Sequence, residues 1–223
     1  MQDKPLLEVK VWGEFACFTR PEMKAERVTY PVMTPSAARG ILEAIFWKPE
    51  FSWQIREIHV LNPIRHFSIL RNEVNDKITI STVKSWVEKG GGYFADESKN
   101  RAQRHTLALR DVAYIIKAYI ALKTTVNEPD IKYKEQFKRK VAKGQCYHRP
   151  YLGCREFASF FAQPDGNERP ISHSDELGRI LFDIDYEQGK SGRGRPVFFP
   201  AKLDNGVLKV DPELYEKEGQ RCF

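Results

Sequence analysis

Alternating apolar and polar residues predict three strands in the first 123 residues of the chain. Leu7, Val9 and Val11 alternate with polar or amphipathic neighbours, which is typical of a half-buried strand. A second strand is predicted over residues 53–63 and ends at Asn62-Pro63. A longer strand is predicted over residues 110–123, and its apolar face consists of Val112, Tyr114, Ile116, Ala118 and Ile120.

A 3.6-residue period predicts two helices. In the first, Thr34 is a natural N-cap and Pro35 takes the first helical position. Its apolar stripe continues to the adjacent aromatics Phe46 and Trp47, just before Pro49 stops the helix. Since adjacent residues cannot share one buried stripe, either one aromatic lies on the surface or this helix end has a function. The second helix lies within residues 125–144 and is closed by Gly144, with Ile131, Phe137 and Val141 predicted to face inward.

The remaining segments have weaker patterns. Residues 64–87 are interpreted as further strands, residues 88–105 as a glycine-rich charged loop, and residues 151–161 as a returning strand. The resulting order predicts an α+β fold with a ferredoxin-like β-α-β-β-α-β plan and inserted strands. Three short strands at 179–186, 196–203 and 206–210 predict a small antiparallel unit outside the first sheet. We therefore expect two domains, residues 1–163 and 164–223.

Composition is that of an ordinary soluble protein. The 223 residues are 41% hydrophobic and 30% charged, and no apolar run reaches the length of a membrane span. The N-terminus is interpreted as the start of a strand and not as a signal peptide. The four cysteines form no CxxC pair, which favours free thiols in a reducing cytoplasm over a zinc site.

Charge favours a nucleic-acid partner. The net charge is +6 and the pI is about 9.1. Basic residues concentrate in 131–144 and 189–196, near glycines and aromatics, a combination that suits an RNA backbone and unstacked bases. Drift in surface charge explains the total equally well, and nonspecific binding of duplex DNA is a further possibility.

Common catalytic and metal-binding motifs are absent from the sequence. Gly189-Lys190-Ser191 is not a P-loop, because the position of the required first glycine is Ile184. The five histidines lack metal-ligand spacing, so we expect no metal and no cofactor. Lys132 and Tyr133 open the second helix, where free N–H groups attract phosphate. A solvated amphipathic helix explains the same pattern.

Four stretches together resemble the CRISPR-associated proteins of family five, subtype I-C (Dvulg). They span the chain in order from near residue 10 to about residue 160, and they read VWGEFACFTRPEMKAERVTYPVMTPSAARGILEAIFWKP, HVLNPIR, LRDVAY and KGQCYHRPYLGCREF. The resemblance implies a ferredoxin-like N-terminal domain and a smaller β-rich C-terminal domain.

The resemblance also implies a function. Such proteins are metal-independent endoribonucleases that cut precursor CRISPR RNA at the repeat stem-loop. The RNA 2′-OH attacks the adjacent phosphate and leaves a 2′,3′-cyclic phosphate. The protein then stays on the 5′ handle of the guide as a subunit of the interference complex, Cascade. The expected partners are therefore repeat RNA and other Cascade subunits.

The family's catalytic tyrosine, lysine and histidine fall on Phe46, Lys132 and Tyr133. In the implied reaction Lys132 stabilises the phosphorane, Tyr133 transfers the proton and Phe46 is a stacking wall. Because Phe46 lacks a hydroxyl and Tyr133 is a poor base at neutral pH, three possibilities stay open. Lys132 and Tyr133 suffice with slower chemistry, His148 or His105 takes over the missing role, or the chain is a non-catalytic RNA-binding scaffold. From charge and position, the residues expected to hold RNA are Arg27, Arg39, Gly144, His148 and Arg149.

Overall fold

A computed structural model describes residues 6–95, 100–125, 128–186 and 194–219. The strands are β1 (Leu7–Ala16), β2 (Phe51–Val60), β3 (His66–Val74), β4 (Arg101–Leu122), β5 (Phe160–Ala162), β6 (Asp175–Asp185), β7 (Arg195–Asp204) and β8 (Val207–Lys209). The helices are α1 (Pro35–Ile45), α2 (Ile80–Lys89), α3 (Ile131–Ala142) and α4 (Glu213–Gly219).

The eight strands form one sheet, whose main path is β5-β1-β4-β2-β8-β7-β6. The pairings between these strands are antiparallel, and β3 pairs with the N-terminal half of β4 off that path. The fold is thus a mixed α/β architecture with a mostly antiparallel, curled sheet and few helices. The predicted apolar face of β4 is confirmed, because all five of its residues are buried.

Helices α1 and α3 cover the central strands. The predicted start of α1 is confirmed: the Thr34 side chain accepts a hydrogen bond from the Ala37 N–H at 3.3 Å. Phe137 of α3 meets Trp53 of β2 with ring centroids 4.8 Å apart. Of the residues predicted to face inward from α3, Phe137 and Val141 are buried but Ile131 is exposed, because the helix starts there and buries Tyr133 instead.

Three predictions between the regular elements are wrong. Residues 80–89 form helix α2 and not a strand, and the predicted loop at 88–105 is shorter because β4 already begins at Arg101. The segment 151–161 is mainly turns, with only β5 extended. In each case the local residue pattern does not decide the structure, which depends on whether the segment pairs with a neighbouring strand.

The three predicted C-terminal strands exist, but the expectation that they stand outside the first sheet is wrong. Strand β8 pairs with β2, with Leu208 opposite Ile58, and this pairing joins β6–β8 to the central strands. Leu208 is fully buried in the same apolar cluster as β1, β4 and α1. The division into domains at residues 163 and 164 stays a prediction.

Candidate functional site

The end of α1 separates the two adjacent aromatics. Phe46 is 3% exposed and packs against Phe51, and its carbonyl accepts a hydrogen bond from Trp53 Nε1 at 2.9 Å. Trp47 is 55% exposed. The ring of Phe46 therefore presents no free face for a base in this structure, whereas Trp47 does.

The other predicted catalytic residues lie close to Phe46. The ring centroid of Phe51 lies 5.5 Å from that of Phe46 and 5.4 Å from that of Tyr133. A row of three aromatic rings therefore connects the end of α1 to the start of α3. Lys132, next to Tyr133, is exposed and donates to Glu128 Oε2 at 2.6 Å. The hydrogen bond from Lys132 lowers the pKa of Glu128, and the same bond raises the pKa of Lys132.

Tyr133 is poorly arranged for proton abstraction. Its side chain is buried and its hydroxyl lies 3.4 Å from Glu128 Oε2. Burial raises the pKa of Tyr133 above its usual value, and the carboxylates of Glu128 and Glu50 raise it further. Lys132 acts in the opposite direction but does not prevail, so even less of this side chain is the phenolate form, which could accept a proton, than in an exposed tyrosine at neutral pH.

A loop after α3 builds a groove against α1. Gly144 ends α3 in the left-handed conformation at φ +63°, and Gln145 N–H bonds to Lys140 O across it. The chain then returns to α1, where the N–H groups of Tyr147 and His148 both donate to Ala44 O, at 2.9 and 3.0 Å. These bonds fix the predicted RNA-binding residue His148 beside the end of α1.

The loop groove, as we call it, has a volume of about 730 Å³. Side chains from α1 and from the loop following α3 share its lining. The lining residues are Gly40, Glu43, Ala44, Trp47, Tyr147, His148, Arg149, Tyr151 and Arg155.

Exposed aromatic and cationic groups dominate the loop groove. Tyr147 is 75% exposed and its ring meets the His148 imidazole at 4.3 Å. Arg149 lies over the Phe160 ring at 5.9 Å. Within the described residues neither Arg149 nor Arg155 forms an ion pair with a carboxylate, which leaves two positive charges for an anionic ligand.

The far side of the loop that lines the groove is anchored to Cys17, the residue directly after β1. Cys17 N–H donates to Leu152 O at 3.0 Å, and Gly153 adopts φ +83° directly against the Cys17 carbonyl. A Cβ at Gly153 would lie 2.1 Å from that oxygen, so only glycine permits this approach. The groove wall is therefore held from both sides, by α1 and by Cys17 at the end of β1.

Arg39 binds within the protein. It donates from Nη1 to Glu43 Oε1 at 2.8 Å and from Nη2 to Asp183 Oδ1 on β6 at 2.6 Å. Although burial opposes its charge, the two carboxylates raise the pKa of Arg39 above its usual value. The guanidinium thus joins α1 to the C-terminal strands, and the structure gives it no free charge for RNA.

Arg27 is also engaged inside the protein. Its Nη1 lies 2.9 Å from the sulfur of Cys154, next to the buried Cys17. A hydrogen bond with Cys17 and then the charge of Arg27 together lower the pKa of Cys154 to about 6, against the effect of burial. The same contact with Cys154, together with burial, raises the pKa of Cys17. Arg27 therefore stabilises a thiolate on Cys154.

Sequence reasoning missed Trp47, Tyr147, Tyr151 and Arg155 as groove residues. A signal for three of them was present, because residues 146–155 interleave aromatic and basic side chains. His105, the other histidine considered, lies opposite Leu70 in the β3–β4 pair and does not line the groove.

Two general features of the described residues complete the site description. They include no group of three or more His, Cys, Asp or Glu side chains placed to hold a metal ion. In the same residues, no helix has the length and apolarity needed to cross a membrane.

A family comparison matches almost the whole chain. The sequence model described as "CRISPR-associated protein (Cas_Cas5)" matches residues 6–211. The chain belongs to this Cas5 family. The match includes α1, α3, the residues that line the loop groove and strands β6–β8. It therefore extends beyond residue 160, where the stretches that resemble the family end.

Two curated relatives within the Cas5 family are similar over nearly their full length. A protein of Thermus thermophilus is 43% identical over 95% of this chain and 93% of its own length. A protein of Mannheimia succiniciproducens is 45% identical over 96% of this chain and 98% of its own length. Each of these two proteins is named "CRISPR pre-crRNA endoribonuclease Cas5d".

Solved structures share the fold of this Cas5 family member. A CRISPR-associated protein has a TM-score of 0.66 at 20% identity, with 95% of this chain and 94% of the other covered. A functionally uncharacterized protein from Streptococcus mutans has a TM-score of 0.65 at 19% identity, with the same coverage. These likenesses support the arrangement of the sheet and its helices.

Proposed function

We propose that the chain is a metal-independent endoribonuclease that cleaves precursor CRISPR RNA at its repeats. The observation that carries the proposal is identity of 43–45%, over almost the full length, to two proteins named as endoribonucleases of that RNA. The reaction is attack of the RNA 2′-OH on the adjacent phosphate, which needs positioning, proton transfer and a nearby cation. It produces a 2′,3′-cyclic phosphate and a 5′-OH end.

The surface between α3 and the loop groove supports an RNA path. Lys132 interacts electrostatically with Glu50, which lies three residues after Trp47 in the chain. Trp47 lines the loop groove together with Arg149 and Arg155. Exposed aromatics stack on unpaired bases and free cations bind the backbone, so this surface suits a single-stranded segment. In this proposal Lys132 supplies a cation to the RNA phosphates once it leaves Glu128.

The ferredoxin-like plan is part of the proposal. The order β5-β1-β4-β2, with α1 after β1 and α3 after β4, supports it, and the β3–α2 segment is then the insertion. Residues 1–163 form the RNA-binding domain and residues 164–223 a smaller β-rich domain whose strand β8 continues its sheet. After cleavage the protein stays on the 5′ handle and contacts other Cascade subunits.

A non-catalytic scaffold is the second candidate. It is favoured by the state of the family's catalytic positions, since Phe46 has no hydroxyl and Tyr133 is buried with a raised pKa. Such a protein binds the guide's 5′ handle through the same surface without cutting it.

Labelled repeat RNA incubated with the purified protein in EDTA tests these candidates. We expect a product that ends in a 2′,3′-cyclic phosphate, as identified by mass spectrometry. Tight hairpin binding with no product after long incubation would identify the scaffold. Binding of any duplex DNA, with an affinity that falls steeply with salt, would identify a nonspecific basic surface.

A further inference from the structure

We infer that His148 is the proton-transfer residue of the reaction and that the loop groove holds the nucleotide that is cut. The inference rests on the proposed function and names the centre of the same reaction. It moves proton transfer away from Tyr133, the position that the family pattern indicates, to a residue on the loop after α3.

The structure fixes the position of His148 but leaves its side chain available. Its N–H bonds to Ala44 O at 3.0 Å, so the backbone is held at the end of α1. The imidazole is exposed and contacts the Tyr147 ring edge-on, and among the described residues it has no hydrogen-bonded or charged partner. Imidazole can exchange a proton near neutral pH, which an unperturbed phenol cannot.

The charges that face His148 favour a phosphate beside it. Arg149 and Arg155 come from its own loop and have no carboxylate partner within the described part of the chain. Glu43, the carboxylate that α1 contributes to the groove, is held by Arg39 at 2.8 Å. Tyr147 and Tyr151 are the remaining titratable groups in the groove lining. The groove therefore presents positive charge to a ligand.

The aromatic surfaces of the groove favour an unpaired base next to that phosphate. Trp47 is 55% exposed, Tyr147 75% and Tyr151 42%. Stacking of bases on aromatic side chains stabilises the binding of single-stranded nucleic acid whatever the base. Stacking on one side and arginine contacts on the other would hold the nucleotide in one orientation, which is the main requirement of this reaction.

The step is balanced without a metal or a co-reactant. The imidazole of His148 takes the proton of the 2′-OH while the O2′–P bond forms. The P–O5′ bond breaks, and the leaving 5′-oxygen takes a proton from the imidazolium or from water. The products are the cyclic phosphate and the 5′-hydroxyl, and His148 ends neutral once the proton has left.

A His148→Gln variant tests the assignment, with His173→Gln as the matched control at another exposed histidine outside the groove. We expect a loss of about 10²–10⁴-fold in the single-turnover cleavage rate of His148→Gln, in the range of a lost general base. The dissociation constant for repeat RNA should change little, and the acid limb of the pH–rate profile should disappear. Cleavage at the wild-type rate with the wild-type pH profile would overturn the assignment and leave the proposed function standing.

A second measurement does not depend on cleavage. The imidazole pKa of His148 is measured by NMR with and without repeat RNA that carries 2′-deoxy sugars and cannot react. We expect the pKa to rise on binding, because an adjacent phosphate stabilises the imidazolium. If the RNA binds and this pKa does not move, the groove does not hold a phosphate at His148. A rise in a protein that cuts no RNA would exclude the proposed function while retaining the binding site, and the catalytic role of His148 would fall with that function.

Discussion

At the scale of single residues, the contact between Cys154 and Arg27 makes the stability of the protein depend on pH. Because the pKa of Cys154 is lowered to about 6, the folded protein binds fewer protons there than the unfolded chain between pH 6 and about 8.5, the ordinary thiol value. The contribution of this group to stability is therefore complete above about pH 8.5 and is lost as the pH falls toward 6.

We predict that Cys154→Ser removes this part of the pH dependence. The wild-type free energy of unfolding minus that of the variant should increase from pH 6 to pH 8.5, as measured by urea unfolding under reducing conditions. Arg27→Met keeps the thiol but removes the neighbouring charge. The difference between wild type and Arg27→Met should therefore also increase with pH, but by less than the difference between wild type and Cys154→Ser. A difference that is flat with pH would mean that Cys154 is not a thiolate in the folded protein.

Residue-scale sequence reasoning succeeded where one position decides the structure by itself. Thr34 and Pro35 start α1 because capping and a fixed φ are local properties. It could not decide between Phe46 and Trp47, since that depends on Phe51 and Trp53 arriving from the next strand. It also assigned Arg27 and Arg39 to RNA, because a sequence does not show which arginines find partners inside the fold.

At the scale of elements, helix α2 differs from α1 and α3. It buries none of its residues, and Ile80 and Val87 are 78% and 82% exposed. The prediction of an extended segment follows the β-branched residues, which favour strands, although Ile80, Val83 and Val87 recur at the i, i+3 and i+7 spacing of a helix. Its N-cap, Thr79, does accept a hydrogen bond from Thr82 N–H at 3.2 Å.

We predict that the double variant Ile80→Ser and Val87→Ser leaves the free energy of unfolding of the isolated chain within about 0.5 kcal/mol of wild type. Val141→Ser on α3 is the contrasting variant, because Val141 is 3% exposed and its loss should cost about 1.5–3 kcal/mol. Urea unfolding followed by circular dichroism measures both. A comparable loss in the two proteins would show that α2 packs against the body of the isolated chain.

At the scale of the whole molecule, the pairing of β8 with β2 joins the C-terminal strands to the central sheet. It joins residues 57–59 to residues 207–209, and no local pattern in the sequence specifies that register. The strands themselves could be predicted from alternation, but their place in the sheet could not. The expected order of the N-terminal strands comes from the ferredoxin-like plan, which the succession of helices and strands predicts and the family resemblance also implies.

We predict that Leu208→Ala lowers the urea midpoint of the central strands as well as that of β8. Leu208 is fully buried, and its truncation should cost about 2–5 kcal/mol. All four tryptophans lie before residue 164, so their fluorescence reports the N-terminal part alone. An unchanged midpoint by tryptophan fluorescence would show that residues 164–223 unfold independently of the rest.

The two ion pairs of Arg39 also connect strand β6 to the wall of the loop groove. One guanidinium serves two carboxylates, Glu43 on the groove wall and Asp183 on β6, so this trio carries one excess negative charge. Moving β6 away would leave Arg39 and Glu43 as a neutral pair and make the groove more attractive to phosphate. Through Asp183 the C-terminal strands thus set part of the charge of the groove wall, although that carboxylate itself lies outside the groove lining.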